Sequence, residues 1–235
     1  MTKPKSSSDV TPKIVAVMPA YNEALRIGQV IELAKQHVHE VIVVNDCSQD
    51  HTAEVAQQAG AWVVNLAQNG GAGFATREGC LKAIERGASV LVTIDSDGQH
   101  DAREIAQLVQ HLLAHDLDIV FGGRPRTPNM PFENRFGNNL LSTLSRWLFG
   151  VQVNDTLTGF HVIKAEAFPL LCWESNRYSF VSEIVYRVAL HRLRYAELPV
   201  STIYHDNKKG MRKRDGLKTL VRLLHWKIKT PKARH

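Results

Sequence analysis

Apolar residues in this chain fall into short unbroken runs, separated by stretches in which they recur every three or four positions, and the two patterns alternate. The runs at 14–18, 40–44, 61–66, 89–94 and 118–121 are too continuous for strands with one wet face, so each predicts a strand buried on both sides. After the first run Leu25, Ile27, Val30, Ile31 and Ala34 keep helical spacing, and helices are predicted over 52–59, 75–86 and 102–115. Alternation of this kind gives an α/β chain with a mainly parallel sheet covered by helices on both faces. Beyond residue 122 the pattern loosens. A Pro- and Asn-rich connection leads to an amphipathic helix from about 138 to 149, a strand-like stretch follows 155–160, a helix covers 180–193, and the last strand takes 195–203.

A chain of 235 residues buries one substantial core, which makes a single domain the expectation. Residues 1–12 have no apolar periodicity and read as a disordered lead-in, 13–204 as the folded domain, and 205–235 as a basic C-terminal segment of helical pattern. No apolar stretch is long enough to span a membrane and the polar start lacks a secretion signal, so a cytoplasmic protein is expected. Cys47, Cys80 and Cys172 are far apart and odd in number, which argues against a disulfide framework or a thiolate metal site.

Charge changes the picture at one end. Residues 205–235 carry eleven Lys or Arg against two Asp, more than the whole chain's net +6, so the rest is net acidic. Such asymmetry points to an anionic partner. Between Leu217 and Lys227 apolar residues recur at helical spacing beside Lys and Arg. Two readings stay open: a helix lying on an anionic membrane surface, or a terminal helix docked on the core by its Leu and Trp side. A nucleic-acid partner would explain the basic end but not the acids described next, which repel phosphate unless a cation intervenes.

Ligands of parallel sheets bind at the carboxyl ends of the strands, and there the polar residues gather: Ala20-Tyr21-Asn22-Glu23, Asn45-Asp46, Asn69-Gly70-Gly71-Ala72-Gly73, and Asp95-Ser96-Asp97-Gly98-Gln99. Asp95 and Asp97 are one residue apart, so in extended chain both side chains point the same way. Two carboxylates with the Gln99 amide suit a hard cation, Mg²⁺ or Mn²⁺, that leaves positions for water and phosphate oxygens. The competing reading is a loop whose acids form turns and cap the next helix. The glycine loop is either an anion-binding helix start or a plain tight turn. Closely spaced histidine patterns of metal sites are absent from the sequence.

The segments Met18-Pro19-Ala20-Tyr21-Asn22-Glu23, Val43-Val44-Asn45-Asp46-Cys47-Ser48, Asn69-Gly70-Gly71-Ala72-Gly73, Asp95-Ser96-Asp97-Gly98-Gln99-His100 and Asp155-Thr156-Leu157-Thr158-Gly159-Phe160, in this order, resemble the family 2 glycosyltransferases with the Rossmann-like GT-A fold, and among them the dolichyl- or polyprenyl-phosphate mannose and glucose synthases. The resemblance implies a nucleotide-diphosphate sugar donor held by Pro19, Ala20, Tyr21, Glu23, Asp46, Asp95 and Ser96, and a metal held by Asp95, Asp97 and Gln99. It implies phosphate binding by Arg124, Arg135 and Lys213, although for Arg135 a surface salt bridge competes. Asp97, Arg124 and Asp155 become the catalytic candidates. The implied acceptor is a polyprenyl or dolichyl phosphate, which needs positioning more than deprotonation; were the acceptor a glycan hydroxyl, Asp155 would be the base by position. A non-catalytic nucleotide-sugar-binding subunit is the remaining alternative. The implied location is the inner face of a membrane, by peripheral contact or through a membrane-embedded partner subunit. Asn45, His161, Asn207 and Arg212 depart from the family's usual residues and leave donor and acceptor identity open.

Overall fold

The computed structural model describes residues 11–125, 132–203, 219 and 221–227. Its centre is one seven-stranded sheet in the order β3-β2-β1-β4-β6-β5-β7. The strands are β1 (Ile14–Ala20), β2 (Glu40–Asn45), β3 (Trp62–Asn65), β4 (Val90–Thr93), β5 (Ile119–Gly123), β6 (His161–Lys164) and β7 (Tyr195–Pro199). All neighbours pair in parallel except β6, which runs antiparallel between β4 and β5.

Helices α1 (Ile27–Ala34), α2 (Thr52–Gln58) and α4 (Ile105–Ala114) belong to one face. Their Ile31, Ala56 and Leu108 pack with Met18, Val43, Val92 and Val162. On the other face α3 (Ala72–Glu85), α6 (Phe168–Leu171) and α7 (Phe180–His191) bring Cys80, Phe168 and Ile184 against Val17, Val44, Leu91 and Ile163. Successive strand residues thus enter opposite cores, the two-sided burial that unbroken apolar runs predict.

The larger departures from the expected elements fall in the second half of the chain. Helix α5 (Phe132–Phe149) begins before the expected 138 and runs through Gly137 and three asparagines, poor helix formers whose intrinsic preference tertiary context overrides. The short α6 was not predicted, because four residues carry no helical period. Strand β7 closes at Pro199, which has no N–H to donate; the chain continues only to a single bridge between Thr202 and His100.

Residues 221–227 are helical and dock on α5 and α7. Leu223 is buried against Leu141 and Leu148, Trp226 stacks on Tyr186 with ring centroids 5.4 Å apart, and Lys227 Nζ donates to the Leu148 carbonyl at 2.7 Å. Val221 and Leu224 remain exposed, as does Trp147 on α5. No helix among the described residues is long and apolar enough to cross a membrane.

Candidate active site

The exit of β1 is built by hydrogen bonds to the exit of β2. Asn22 takes a left-handed backbone, φ 56°, accepts Gln49 N–H at 2.8 Å and donates its own N–H to Ser48 Oγ at 3.0 Å. Glu23 N–H reaches Thr52 Oγ1 at 2.8 Å. This lacing holds Tyr21, half exposed, at the mouth and Glu23 beneath it. Asn45 uses both ends of its amide, donating to Asn65 Oδ1 at 2.8 Å and accepting Ser48 N–H at 3.1 Å; an aspartate here would lose the donor to Asn65.

Asp46 is buried and its carboxylate accepts the Gly70 and Gly71 N–H groups at 2.6 and 2.8 Å. The next helix start is closed as well: Phe74 N–H donates to the Asn176 carbonyl at 3.1 Å, and a Cβ on Gly73 would lie 2.3 Å from the Ser175 carbonyl. Of the two readings of the glycine loop, these bonds favour the tight turn. The loop's amides serve the protein's own Asp46 and the 175–177 backbone, and glycine is required by that close approach.

Asp95 and Asp97 follow β4. Asp97 Oδ1 accepts Gln99 N–H at 3.0 Å and Gly98 turns the loop at φ 72°. The Gln99 carbonyl accepts Ile203 N–H at 2.9 Å. Ser96, expected among the donor-binding residues, is buried and gives its hydroxyl to the Pro19 carbonyl at 2.8 Å, so its side chain ties β4 to β1. The Asp95 side chain is 43 % exposed. Withdrawal from bulk water, then neighbouring Asp97 and Glu23, push its carboxyl up to about 7, while Arg124 pulls the other way. Crowded carboxylates that resist ionising together fit an all-oxygen cation site. Among the described residues no three His, Cys, Asp or Glu side chains form a metal-ligand group.

The 155–160 segment reaches this acid pair because β6 lies beside β4. Thr93 Oγ1 donates to the Gly159 carbonyl at 2.7 Å, and a Cβ on Gly159 would stand 2.7 Å from Asp95 Oδ1. Asp155 is wholly buried and grips Arg124 twice, Nε to Oδ2 at 2.5 Å and Nη2 to Oδ1 at 3.0 Å. It also accepts the backbone N–H of Arg124 at 3.2 Å and of Leu157 at 3.1 Å. Burial raises the Asp155 carboxyl, but its bonds to the Arg124 guanidinium outweigh that and hold it below the usual range. An acid in this state braces an arginine and is a poor proton acceptor, which weighs against the base role that Asp155 would take were the acceptor a glycan hydroxyl.

His100 and His161 are both buried. Burial, followed by the Arg124 charge, takes His100 down to about 3, and burial takes His161 to about 4, so both are neutral. His100 Nε2 stands 3.8 Å from Asp95 Oδ2. Of the predicted phosphate ligands, Arg124 lies beside the acids; Arg135 falls on the first half of α5, whose side chains lie outside the described residues, and Lys213 lies outside them altogether. The sequence reading did not single out Thr93, Gly159, Ser175 or Glu197 as site residues. Only Gly159 had a signal, inside a quoted motif.

The glycosyl transferase family 2 model matches residues 15–168. The UDP-N-acetylglucosamine–dolichyl-phosphate N-acetylglucosaminyltransferase of Methanococcus voltae is 30% identical over 241 residues, covering 92% of this chain and 96% of that protein. The polyprenol monophosphomannose synthase of Mycolicibacterium smegmatis is 26% identical over 239 residues, covering 93% and 88%. Among solved structures, glucosyl-3-phosphoglycerate synthase from Mycobacterium tuberculosis, crystallised with Mn²⁺, uridine-diphosphate-glucose and phosphoglyceric acid, superposes with a TM-score of 0.73 at 20% identity over 94% of this chain and 82% of that one. By sequence over nearly its whole length, and by the fold shared with that synthase, this chain belongs to glycosyl transferase family 2 and is a glycosyltransferase of the GT-A type.

Proposed function

We propose that the protein transfers a hexose, mannose or glucose foremost, from a nucleoside-diphosphate sugar to a polyprenyl or dolichyl phosphate, with inversion and with Mg²⁺ or Mn²⁺ bound. The relatives named for dolichyl-phosphate and polyprenol acceptors support the lipid phosphate, and the Methanococcus relative adds N-acetylglucosamine to the donors worth testing. The carrying observation is the clasp of Arg124 by buried Asp155. With that acid committed to an arginine and both nearby histidines neutral and buried, the site favours a nucleophile that arrives already charged. A phosphate monoester, with its second ionisation at ~6, is such a nucleophile.

Asp95, Asp97 and Gln99 would hold the cation, which when bound acts as a Lewis acid on the diphosphate leaving group. Tyr21 offers a flat face to the nucleobase and Glu23 a hydrogen-bond acceptor to the nucleoside. Asp46 holds the glycine loop in place. Arg124, oriented by Asp155, neutralises phosphate charge at the reacting centre. An acceptor oxygen forms its bond to the anomeric carbon from the face opposite the diphosphate as the sugar–diphosphate bond breaks, so the electron pair leaves on the nucleoside diphosphate and the configuration inverts. Peripheral attachment to an anionic membrane completes the reading: exposed Trp147, Val221 and Leu224 accompany a stretch rich in Lys and Arg.

The test is a panel of UDP-glucose, UDP-N-acetylglucosamine and GDP-mannose, each with undecaprenyl phosphate and either Mg²⁺ or Mn²⁺, scored for sugar-lipid. Metal-dependent sugar-lipid formation is the expected result; nucleotide release without lipid product refutes the acceptor.

A further inference from the structure

Arg124 owes its placement to a second carboxylate beyond Asp155. Glu197 sits on β7, one strand over from the end of β5, in register with Phe121. Its side chain folds back over the strand end rather than into solvent. Glu197 Oε1 accepts the backbone N–H of Asn154 and of Asp155, each at 2.9 Å, and Oε2 accepts the Asn154 side-chain amide at 2.7 Å. Two residues earlier on the same strand, Tyr195 Oη accepts Gln152 N–H at 2.8 Å, so β7 holds the 152–155 segment at two points. The room comes from Gly123, where a Cβ would lie 2.4 Å from Glu197 Oε1.

We infer that Glu197 is a positioning residue for the transfer, fixing the Asp155 backbone so that the Asp155 carboxylate presents the Arg124 guanidinium to phosphate. The physical argument is one of relay. A short acid such as Asp155 has few rotamers, so the location of its carboxylate follows the location of its own backbone. That backbone lies in a loop and is fixed by a carboxylate acceptor at 2.9 Å, a charge-assisted kind of hydrogen bond stronger than a neutral one. Loss of the Glu197 charge lets the 154–155 backbone shift. A misplaced arginine then meets phosphate off the productive geometry, where small displacements carry large rate penalties.

The inference rests on the reading of Arg124 as a phosphate-binding group, and a double-mutant cycle in the full chain separates the two. Kinetics use undecaprenyl phosphate with whichever of UDP-glucose, UDP-N-acetylglucosamine and GDP-mannose turns over. Glu197→Gln should lower kcat/KM roughly tenfold while Mn²⁺ affinity stays within about twofold, because the Glu197 hydrogen bonds go to the 154–155 segment and not to the acid pair. In an Arg124→Lys background, which lacks the planar fork, the same substitution should cost less than about twofold. Equal losses in both backgrounds, or no loss in the first, overturn the positioning role. Full activity of Arg124→Lys alone overturns the phosphate reading instead. Should Glu197→Gln not fold, Glu197→Asp, which keeps the charge but withdraws it by one methylene, is taken through the same cycle under the same criteria.

Discussion

Gly159→Ala tests whether Asp95 must stand where it does. The backbone at Gly159 is not in the left-handed region, so alanine introduces no conformational strain. The added Cβ would instead lie 2.7 Å from Asp95 Oδ1, 2.9 Å from Oδ2 and 3.1 Å from Cγ. Ordinary contact begins at 3.4 Å, so one partner must yield by about 0.7 Å. The backbone is poorly placed to do so, since the Gly159 carbonyl is bonded to Thr93 Oγ1 at 2.7 Å, the Phe160 carbonyl accepts Gly122 N–H at 2.9 Å, and the ladder between β4 and β5 begins at His161. The Asp95 carboxylate therefore moves. Metal–oxygen distances tolerate about 0.2 Å, and disturbing the groups that orient a ligand costs roughly 10–100-fold in affinity. Mn²⁺ titration followed by electron paramagnetic resonance of the free ion should show a loss of about tenfold or more, with kcat/KM falling in parallel and thermal unfolding nearly unchanged. Unaltered Mn²⁺ affinity in a folded Gly159→Ala protein would refute the assignment of Asp95 to the cation.

Asp155→Asn separates brace from base: breaking the buried pair leaves Arg124 without its counter-charge and should destabilise the fold by about 3 kcal/mol in urea unfolding, whereas removal of a base alone would leave stability near wild type. The raised carboxyl of Asp95 sets a pH signature. A group ionising at about 7 when folded and 3.8 ordinarily stabilises the metal-free protein below that lower value and loses the contribution as pH climbs to the upper one. The stability advantage of Asp95→Asn over wild type should accordingly grow between about pH 4 and 7 in chelator, and a difference independent of pH would contradict it. At the C-terminal end Trp226→Ala should cost about 2 kcal/mol through the lost stack on Tyr186, while Val221→Ser with Leu224→Ser should leave the melting temperature alone and weaken sedimentation with phosphatidylglycerol vesicles. Undiminished sedimentation would remove those two side chains from the membrane face.

Acids at strand exits could be recognised from local pattern alone, because a strand buried on both faces has no packing use for them and the apolar run stops abruptly at Asp95. What each acid is free to do could not be read that way. Asp46 is committed to Gly70 and Gly71, and Asp155 to Arg124, over separations of 24 to 31 residues, and nothing in the local sequence distinguishes a clamped carboxylate from an available one. The decisive step was topological: β6 inserts antiparallel between β4 and β5, which lays Gly159 against Asp95 and draws Asp155 onto the residue that follows β5. Alternating strand and helix signals predict the parallel strands but carry no information about an inserted antiparallel one. The amphipathic pattern at the C-terminus was equally ambiguous, since the same Leu and Trp side that would enter a membrane surface can enter a groove between α5 and α7; Leu223 is buried and Trp226 stacks there, which leaves Val221 and Leu224 as the exposed apolar positions. A site residue in such a fold is thus defined by its partners: Asp95 and Asp97 remain the candidates for cation chemistry because they stand together at the end of β4 as crowded carboxylates, whereas Asp155, the more buried acid, has its charge answered by an arginine.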